Sequence, residues 1–379
     1  MNSRYYFLIR LTFNIILVAS SFQFTVFADT IEIKTYRAIG RNIYAGMLPE
    51  MELLAGVLSQ TSWMKQSGPS GGGNLYFREL RDFFTHYKDH EAVKIAEDMT
   101  VKYFTYDAPP AFILHLSPLP GLDRPEKYSD YLIGRAGGEE NLERFRIALR
   151  NLAQKSNFMG FYKNHAADYI GWTDRALSGF KADSVSELMA DYFGWAGDEF
   201  HMVFAPAMFP YGGYAISKKS GDKIIIYQVV RENGESDSLP EFLSGLNLTV
   251  LSLHEFGHSF VNPSLERCST LSKKYKLEEL YTPVKTVMEK QAYGTYPTFF
   301  NEMVVRAMTA RAFKHNQVIY NRIIENEKKD GFYFIEFTCE QLEYYEKNRD
   351  KYKRFDEFVP YLLKKYHSNK KSLFALLKQ

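Results

Sequence analysis

Apolar residues recur at three- to four-residue intervals along most of this chain, and each such run predicts a helix. Residues 51–58, 80–87, 142–152 and 185–193 carry the pattern, so the chain from residue 31 to about 197 reads as mostly helical. Leu246, Val250, Leu253, Phe260 and Val261 extend it over residues 246–261, and Asn262-Pro263 is expected to close that helix. Ser238-Leu239-Pro240-Glu241 spells a capping box with proline just inside the start, which predicts a helix opening there and breaking at Gly245. A polar helical stretch follows over 272–280, then an apolar helix over about 297–315. From residue 319 onward, tyrosine and lysine alternate at helical spacing.

Strand signals are fewer. Lys223-Ile224-Ile225-Ile226-Tyr227-Gln228-Val229-Val230 is the strongest, and the turn-like Lys219-Ser220-Gly221-Asp222 before it predicts a hairpin over 213–230. Residues 111–116, set between Pro109-Pro110 and the prolines of 118–125, also read as a strand. The glycine-rich stretch 67–74 lacks the Lys-Ser/Thr of a phosphate loop and reads as a surface connection. The pattern predicts an α+β fold: a leader at 1–28, a helical region at 29–200, a core at 201–316 and a C-terminal helical region at 317–379.

Composition narrows the class. With 45% hydrophobic and 16% aromatic residues in 379, the chain has ample material for a core. A net charge of +2 gives no call for nucleic acid. Arg4 and Arg10 precede an apolar run over 11–27, and Val26-Phe27-Ala28 precedes Asp29, the pattern of a cleaved signal peptide. An uncleaved anchor is the alternative; both place the body outside the cytoplasm, secreted or periplasmic. No later run approaches about 20 apolar residues, so no stable membrane insertion is expected after cleavage. Cys268 and Cys339 are open to two readings, a disulfide or two separate thiols.

The chemistry concentrates at His254-Glu255-Phe256-Gly257-His258. On a helix the two imidazoles lie one turn apart on one face and can grip one metal ion, with Glu255 beside them to act on a water. The chain has 9 histidines, so this bracketed pair is informative. Gly257 costs the helix about 1 kcal/mol relative to alanine, which suggests another backbone passing close by. His86 and His90 share the spacing without the glutamate and read as a solvated face. Catalytic zinc takes three protein ligands. A third histidine at position 264 is excluded, since Ser264 stands there and Val261 replaces the required glycine. Glu278 and Glu302 remain. Glu302 is favoured by its apolar surroundings and by Arg306, one turn later, to hold its second oxygen.

The pairing of His254-Glu255-Phe256-Gly257-His258-Ser259-Phe260-Val261-Asn262-Pro263 with Asn301-Glu302 and Arg306-Ala307 resembles the gluzincin metallopeptidases, and within them secreted, largely uncharacterised bacterial relatives. The resemblance runs over about residues 201–312. It implies a zincin-like core, zinc on His254, His258 and Glu302, Glu255 as general base, and a peptide or protein substrate pairing with an edge strand, expected at 203–206 with the turn Tyr211-Gly212-Gly213. Tyr293, Tyr211 and Tyr214 are candidates for the donor to the reaction's oxyanion. A zinc amidase or deacylase on a non-protein amide, and a non-catalytic zinc-retaining binding protein, are the alternatives.

Overall fold

The isoleucine-rich run forms a strand because β-branched residues fit a pleated, buried surface, and it is the organising strand of a mixed sheet. The computed structural model describes residues 34–68, 73–195, 197–208, 213–236 and 239–377. The leader-like segment 1–28 lies outside them. Five strands, β1 (Tyr36–Ala38), β2 (Ile43–Gly46), β3 (Glu199–Ala205), β4 (Gly213–Ser220) and β5 (Lys223–Arg231), lie in the order β1-β2-β3-β5-β4. The β2-β3 and β3-β5 pairs are parallel; β1-β2 and β5-β4 are antiparallel. The expected hairpin is β4 and β5, turning at Gly221, whose φ of +60° is one that glycine adopts without strain.

The architecture is α+β and mostly helical, with this small mixed sheet at its centre. The sheet does not respect the expected boundary at residue 200. β1 and β2 come from the first fifty residues, and the helices between residues 47 and 198 form the crossover that parallel neighbours require. Both N-terminal strands are short, of 3 and 4 residues, and the parallel partner of β2 lies far along the chain, so neither leaves a local signature.

Four further expectations need correction. Residues 203–206 are not an edge: β3 is paired on both sides, and the edge beside β5 is β4. The supposed strand at 111–116 lies in the helix Ala108–His115, where Pro109 and Pro110 sit in the first turn and forfeit no intrahelical bond. The capping-box sequence does not start a helix; Leu239–Glu241 is β7, paired with β6 (Gly234–Ser236). The histidine-bearing helix begins later, at Gly245, and runs through Pro263 to Arg267. Its tail holds despite the proline because Phe260 stacks on Phe193 with centroids 4.4 Å apart and also meets Trp195 and Phe200.

The two sheet faces differ. Phe200 and its register partner Ile226 face the histidine helix, with Phe200 in edge contact with Phe256. One residue on, His201 leaves the opposite face, stacks against Tyr44 and meets Tyr227 at a tilt. The predicted helix near 297–315 is Tyr296–Ala312, capped by Thr295, whose hydroxyl accepts from the Thr298 amide. The polar stretch becomes the helix Ser269–Lys274 and a 3₁₀ turn at Leu277–Leu280. Cys268 and Cys339 are separate thiols. No described helix is long and apolar enough to cross a membrane.

The helix Pro49–Leu58 carries an unexpected polar element. Glu52 is fully buried; its Oε2 accepts from the Tyr76 hydroxyl at 2.7 Å, and the Tyr76 hydroxyl lies 2.8 Å from that of Tyr169. Burial pushes the Glu52 carboxyl up to about 8. Below the unfolded value both states hold the proton. Between that value and about 8 only the unfolded chain releases it, so stability falls as pH rises through this window. Each unit of the displacement corresponds to about 1.4 kcal/mol. Glu52→Gln is expected to flatten the loss of melting temperature between about pH 5 and about pH 9. Melting curves at both values check this; an unchanged slope would exclude Glu52 as its source.

Candidate metal centre

Two helices build the site. The histidine helix Gly245–Arg267 is buried on several sides, with Leu253, Phe256 and Phe260 in the core and Glu255 among them. The glutamate helix Tyr296–Ala312 crosses it at Gly257, where an added Cβ would lie 2.5 Å from Met308 Cε. The close approach inferred from Gly257 therefore exists, though a side chain makes it rather than a backbone. It brings Glu302 over the histidine pair.

The Nε2 atoms of His254 and His258 lie 3.2 Å apart. Glu302 Oε1 is 3.2 Å from His258 Nε2, and Glu302 Oε2 is 3.6 Å from His254 Nε2. Tetrahedral bonds of about 2.0–2.1 Å to one ion separate their donor atoms by about 3.3 Å, so the donor set fits a zinc-sized cation. The three side chains are a buried group that could hold a metal ion. Two imidazoles and one carboxylate leave a fourth position for water on such an ion. Glu278 is elsewhere, exposed on the Leu277–Leu280 turn. The choice between the two carboxylates, open in the sequence, is made by the crossing of the helices.

Two of the three side chains are held from behind. His258 Nδ1 donates to Asn262 Oδ1 at 3.2 Å, which turns Nε2 toward the shared centre. Arg306 Nε donates to Glu302 Oε2 at 3.1 Å, as its position one turn later suggested. The rest of that guanidinium bonds to Glu327 Oε2 at 2.5 Å and to the Tyr293 hydroxyl at 2.9 Å, and its plane covers the Phe332 ring at 4.4 Å. Asn262 had a readable signal, the same four-residue step that joins the histidines. Glu327 had none, since it arrives from the separate helix Gln317–Lys329.

Electrostatics follow from this crowding. Burial, with the charges of His258 and Arg306 adding to it, pushes His254 down to about 3 against the pull of Glu302. Burial acts the same way on His258, but the charge and hydrogen bond of Glu302 outweigh it and hold that imidazole up at about 9. Burial opposes ionisation of Glu302, yet the two histidines and Arg306 keep it well below the usual carboxylate range. Burial, with the charge of Glu302 adding to it, pushes Glu255 up to about 7 against the pull of His258 and Arg306.

Glu255 also sits against the sheet edge. An added Cβ at Gly213, the first residue of β4, would fall 2.7 Å from Glu255 Oε1, so only glycine leaves the carboxylate its place. Among the tyrosines considered, Tyr293 lies at the centre through Arg306, and burial with the charge of Glu302 pushes its hydroxyl up to about 12. Tyr214 follows Gly213 and so leaves β4 on the other face. Tyr211 and Gly212 lie outside the described residues. His86 and His90 do not share a helical face: His86 ends one helix and His90 caps the next, its Nδ1 accepting from the Ala92 amide.

Residues 54–365 match the family described as Domain of unknown function (DUF4932), and the match covers most of the chain and every residue of this centre. The chain belongs to that DUF4932 family. A search of curated proteins and a search of solved structures return no match.

For this DUF4932 chain, Glu302→Ala is expected to weaken zinc binding by at least about 100-fold, and Asn262→Ala by about 10- to 100-fold. Glu278→Ala should bind as wild type does. Competition titrations against a chromophoric chelator measure all three; a loss at Glu278 comparable with that at Glu302 would reverse the assignment.

Proposed function

We propose that this protein is a zinc-dependent hydrolase that cleaves peptide bonds, a metallopeptidase with a zincin-like core formed by the sheet, the histidine helix and the glutamate helix. One observation carries the reading: His254, His258 and Glu302 converge at coordination spacing with the separate, buried carboxyl of Glu255 close by. A merely structural metal site has no use for that fourth group. The leader-like pattern of residues 1–28 supports an extracytoplasmic location.

Zinc held by His254, His258 and Glu302 would lower the pKa of a bound water to about 7 and would polarise a substrate carbonyl. Glu255 would take a proton from an attacking water as the water's oxygen bonds to the carbonyl carbon. The same carboxyl returns the proton to the nitrogen as the carbon–nitrogen bond breaks, leaving an acid and an amine. A carboxyl raised to about 7 by burial suits both halves of this task. Tyr293 accepts from Arg306 and so has its own O–H proton to donate to the oxygen that gains charge.

The sheet edge favours a peptide over other amides. β4 pairs with β5 on one side, and its first residue abuts Glu255, so an extended peptide adding to its other side would bring a backbone amide to the catalytic carboxyl. A zinc amidase on a non-protein amide would share the metal ligands without needing that edge.

Glu255→Gln is expected to keep its zinc while losing about 10²- to 10⁴-fold in hydrolysis. Metal analysis beside a peptide-library digest, with and without chelator, reads both quantities. Equal turnover in the two proteins would leave a binding protein as the better reading. Gly213→Val should impair hydrolysis with zinc content unchanged, because its side chain would displace Glu255. Tyr293→Phe should lower kcat by about 10²- to 10³-fold with little change in KM. A Tyr293→Phe enzyme with full kcat would remove the phenol from the mechanism.

A further inference from the structure

A cavity of about 440 Å³ lies between the outer side of β4, from Ala215 to Lys219, and the helix Ala108–His115. Its size falls within the range of about 300–1,000 Å³ typical of small-molecule pockets. None of His254, Glu255, His258 and Glu302 lines it, so it is separate from the metal centre.

The cations of this cavity lack contacting counter-charges. Lys218 is half-buried; its Nζ donates to the Leu114 carbonyl oxygen and lies 5.5 Å from the centre of the Tyr227 ring. Burial lowers its pKa, with Glu126 and Glu50 pulling the other way. Among the described residues no carboxylate stands within ion-pair distance of Lys218, nor of the exposed Lys127 and Lys219 beside it in the lining. An anion that reaches into the cavity would give the half-buried ammonium the partner it lacks.

The rest of the lining offers acceptors and hydroxyls. Asp107 accepts from the Tyr131 hydroxyl at 2.6 Å and from Arg135 at 3.2 Å, and Glu126 Oε1 accepts from the Gly221 amide at 2.9 Å. Each carboxylate has further lone pairs to use. His115 Nε2 donates to the Glu126 carbonyl oxygen at 2.9 Å, which leaves Nδ1 as an acceptor. Ser129 Oγ accepts from the Leu132 amide at 3.2 Å and keeps its O–H to donate, as does the exposed Ser217. A ligand with a carboxylate alone would meet the lysines but also two acids. One that carries hydroxyls as well can donate to those acids.

Aromatic surface borders these groups. Tyr131 lines the cavity and is exposed. Before the helix, Tyr103 and Tyr106 take φ of +82° and +61°, a conformation that costs a bulky residue free energy. Tyr103 is 78% exposed, so burial does not offset that cost. Arg135 fixes the segment, donating to the carbonyl oxygens of Tyr103 at 2.8 Å and Thr105 at 2.5 Å as well as to Asp107. Three exposed tyrosines are thereby joined to the cavity through Asp107 and Arg135. A sugar ring packs its C–H face on such rings while its hydroxyls bond to a polar lining.

We propose that this cavity binds an acidic sugar, a pyranose carrying a carboxylate. Lys218, with Lys127 and Lys219, receives the carboxylate; Asp107, Glu126 and the two serines bond to the hydroxyls; Tyr131 packs on the ring. The site is independent of the hydrolase reading.

Purified protein is titrated with D-glucuronate, with D-glucose, which has the ring without the carboxylate, and with N-acetylglutamate α-amide, which has the carboxylate without the ring. Ligand NMR follows binding. Glucuronate is expected to bind at least about tenfold more tightly than either of the others. Lys218→Met should reduce glucuronate to the level of glucose, and Ser217→Trp, at an exposed position, should fill the cavity and remove both sugars. Both variants are checked for unchanged melting temperature, and Ser217→Trp reads the site even where Lys218→Met folds poorly. Glu302→Ala should bind glucuronate as wild type does. Glucuronate binding that is absent, or no tighter than glucose, overturns the proposal, as does a preference that Ser217→Trp keeps. Equal binding of the glutamate amide would make this a site for acidic peptides instead. Loss of glucuronate in Glu302→Ala would move the ligand to the metal centre.

Discussion

A buried carboxylate facing two imidazoles, 3.2 Å from one and 3.6 Å from the other, is the constraint on which this structure turns. Glu302 is almost wholly removed from water, and an unpaired carboxylate there would cost several kcal/mol. Arg306 answers part of that cost and is itself balanced by Glu327 and covered by Phe332. The remainder falls on the space between Glu302 and the histidines, where His258 lies 3.2 Å from Glu302 and the three side chains could hold a metal ion. Four helices and turns are fixed by this one requirement, since Glu302, Glu327, Tyr293 and the imidazoles come from separate parts of the chain.

The same crowding separates the roles of two acids of identical chemistry. Glu302 has Arg306 and two imidazoles within reach and stays ionised; Glu255 has a glycine and the sheet edge and is raised toward neutrality. One environment suits a ligand and the other a group that exchanges protons. The difference lies in placement, because the histidine helix turns Glu255 away from the face that carries His254 and His258. Gly213 is as much a part of this as the acid, since it provides the room in which the carboxyl rests.

The sheet links the site to the rest of the chain. β3 and β5 hold one face against Phe256 and Phe260 of the histidine helix, and β4 brings Gly213 to Glu255. The N-terminal helices, read from the sequence as a region of their own, are the long crossover from β2 to β3 and share that sheet. On the far side of the centre, Asn262 both holds His258 and lines a cavity of about 890 Å³.

The sequence by itself determined the local terms. The helical period over residues 246–261, the hairpin about Gly221 and the placing of His254, Glu255 and His258 depend on residues within a turn or two of one another, and such patterns survive being read without coordinates. It also carried Glu302, because an acid among large apolar residues with Arg306 a turn away is a short-range anomaly. Local signals failed where a distant partner outweighed them. Pro263 did not stop its helix because Phe193, Trp195 and Phe200 hold the tail, and the capping box gave way to pairing between β6 and β7. Tertiary structure alone decided that Glu302 and not Glu278 meets the histidines, that β4 is the edge, that Glu327 stands behind Arg306 and that a cavity opens past Asn262. Each of these depends on how elements dozens of residues apart approach one another, and no periodicity along the chain records that distance.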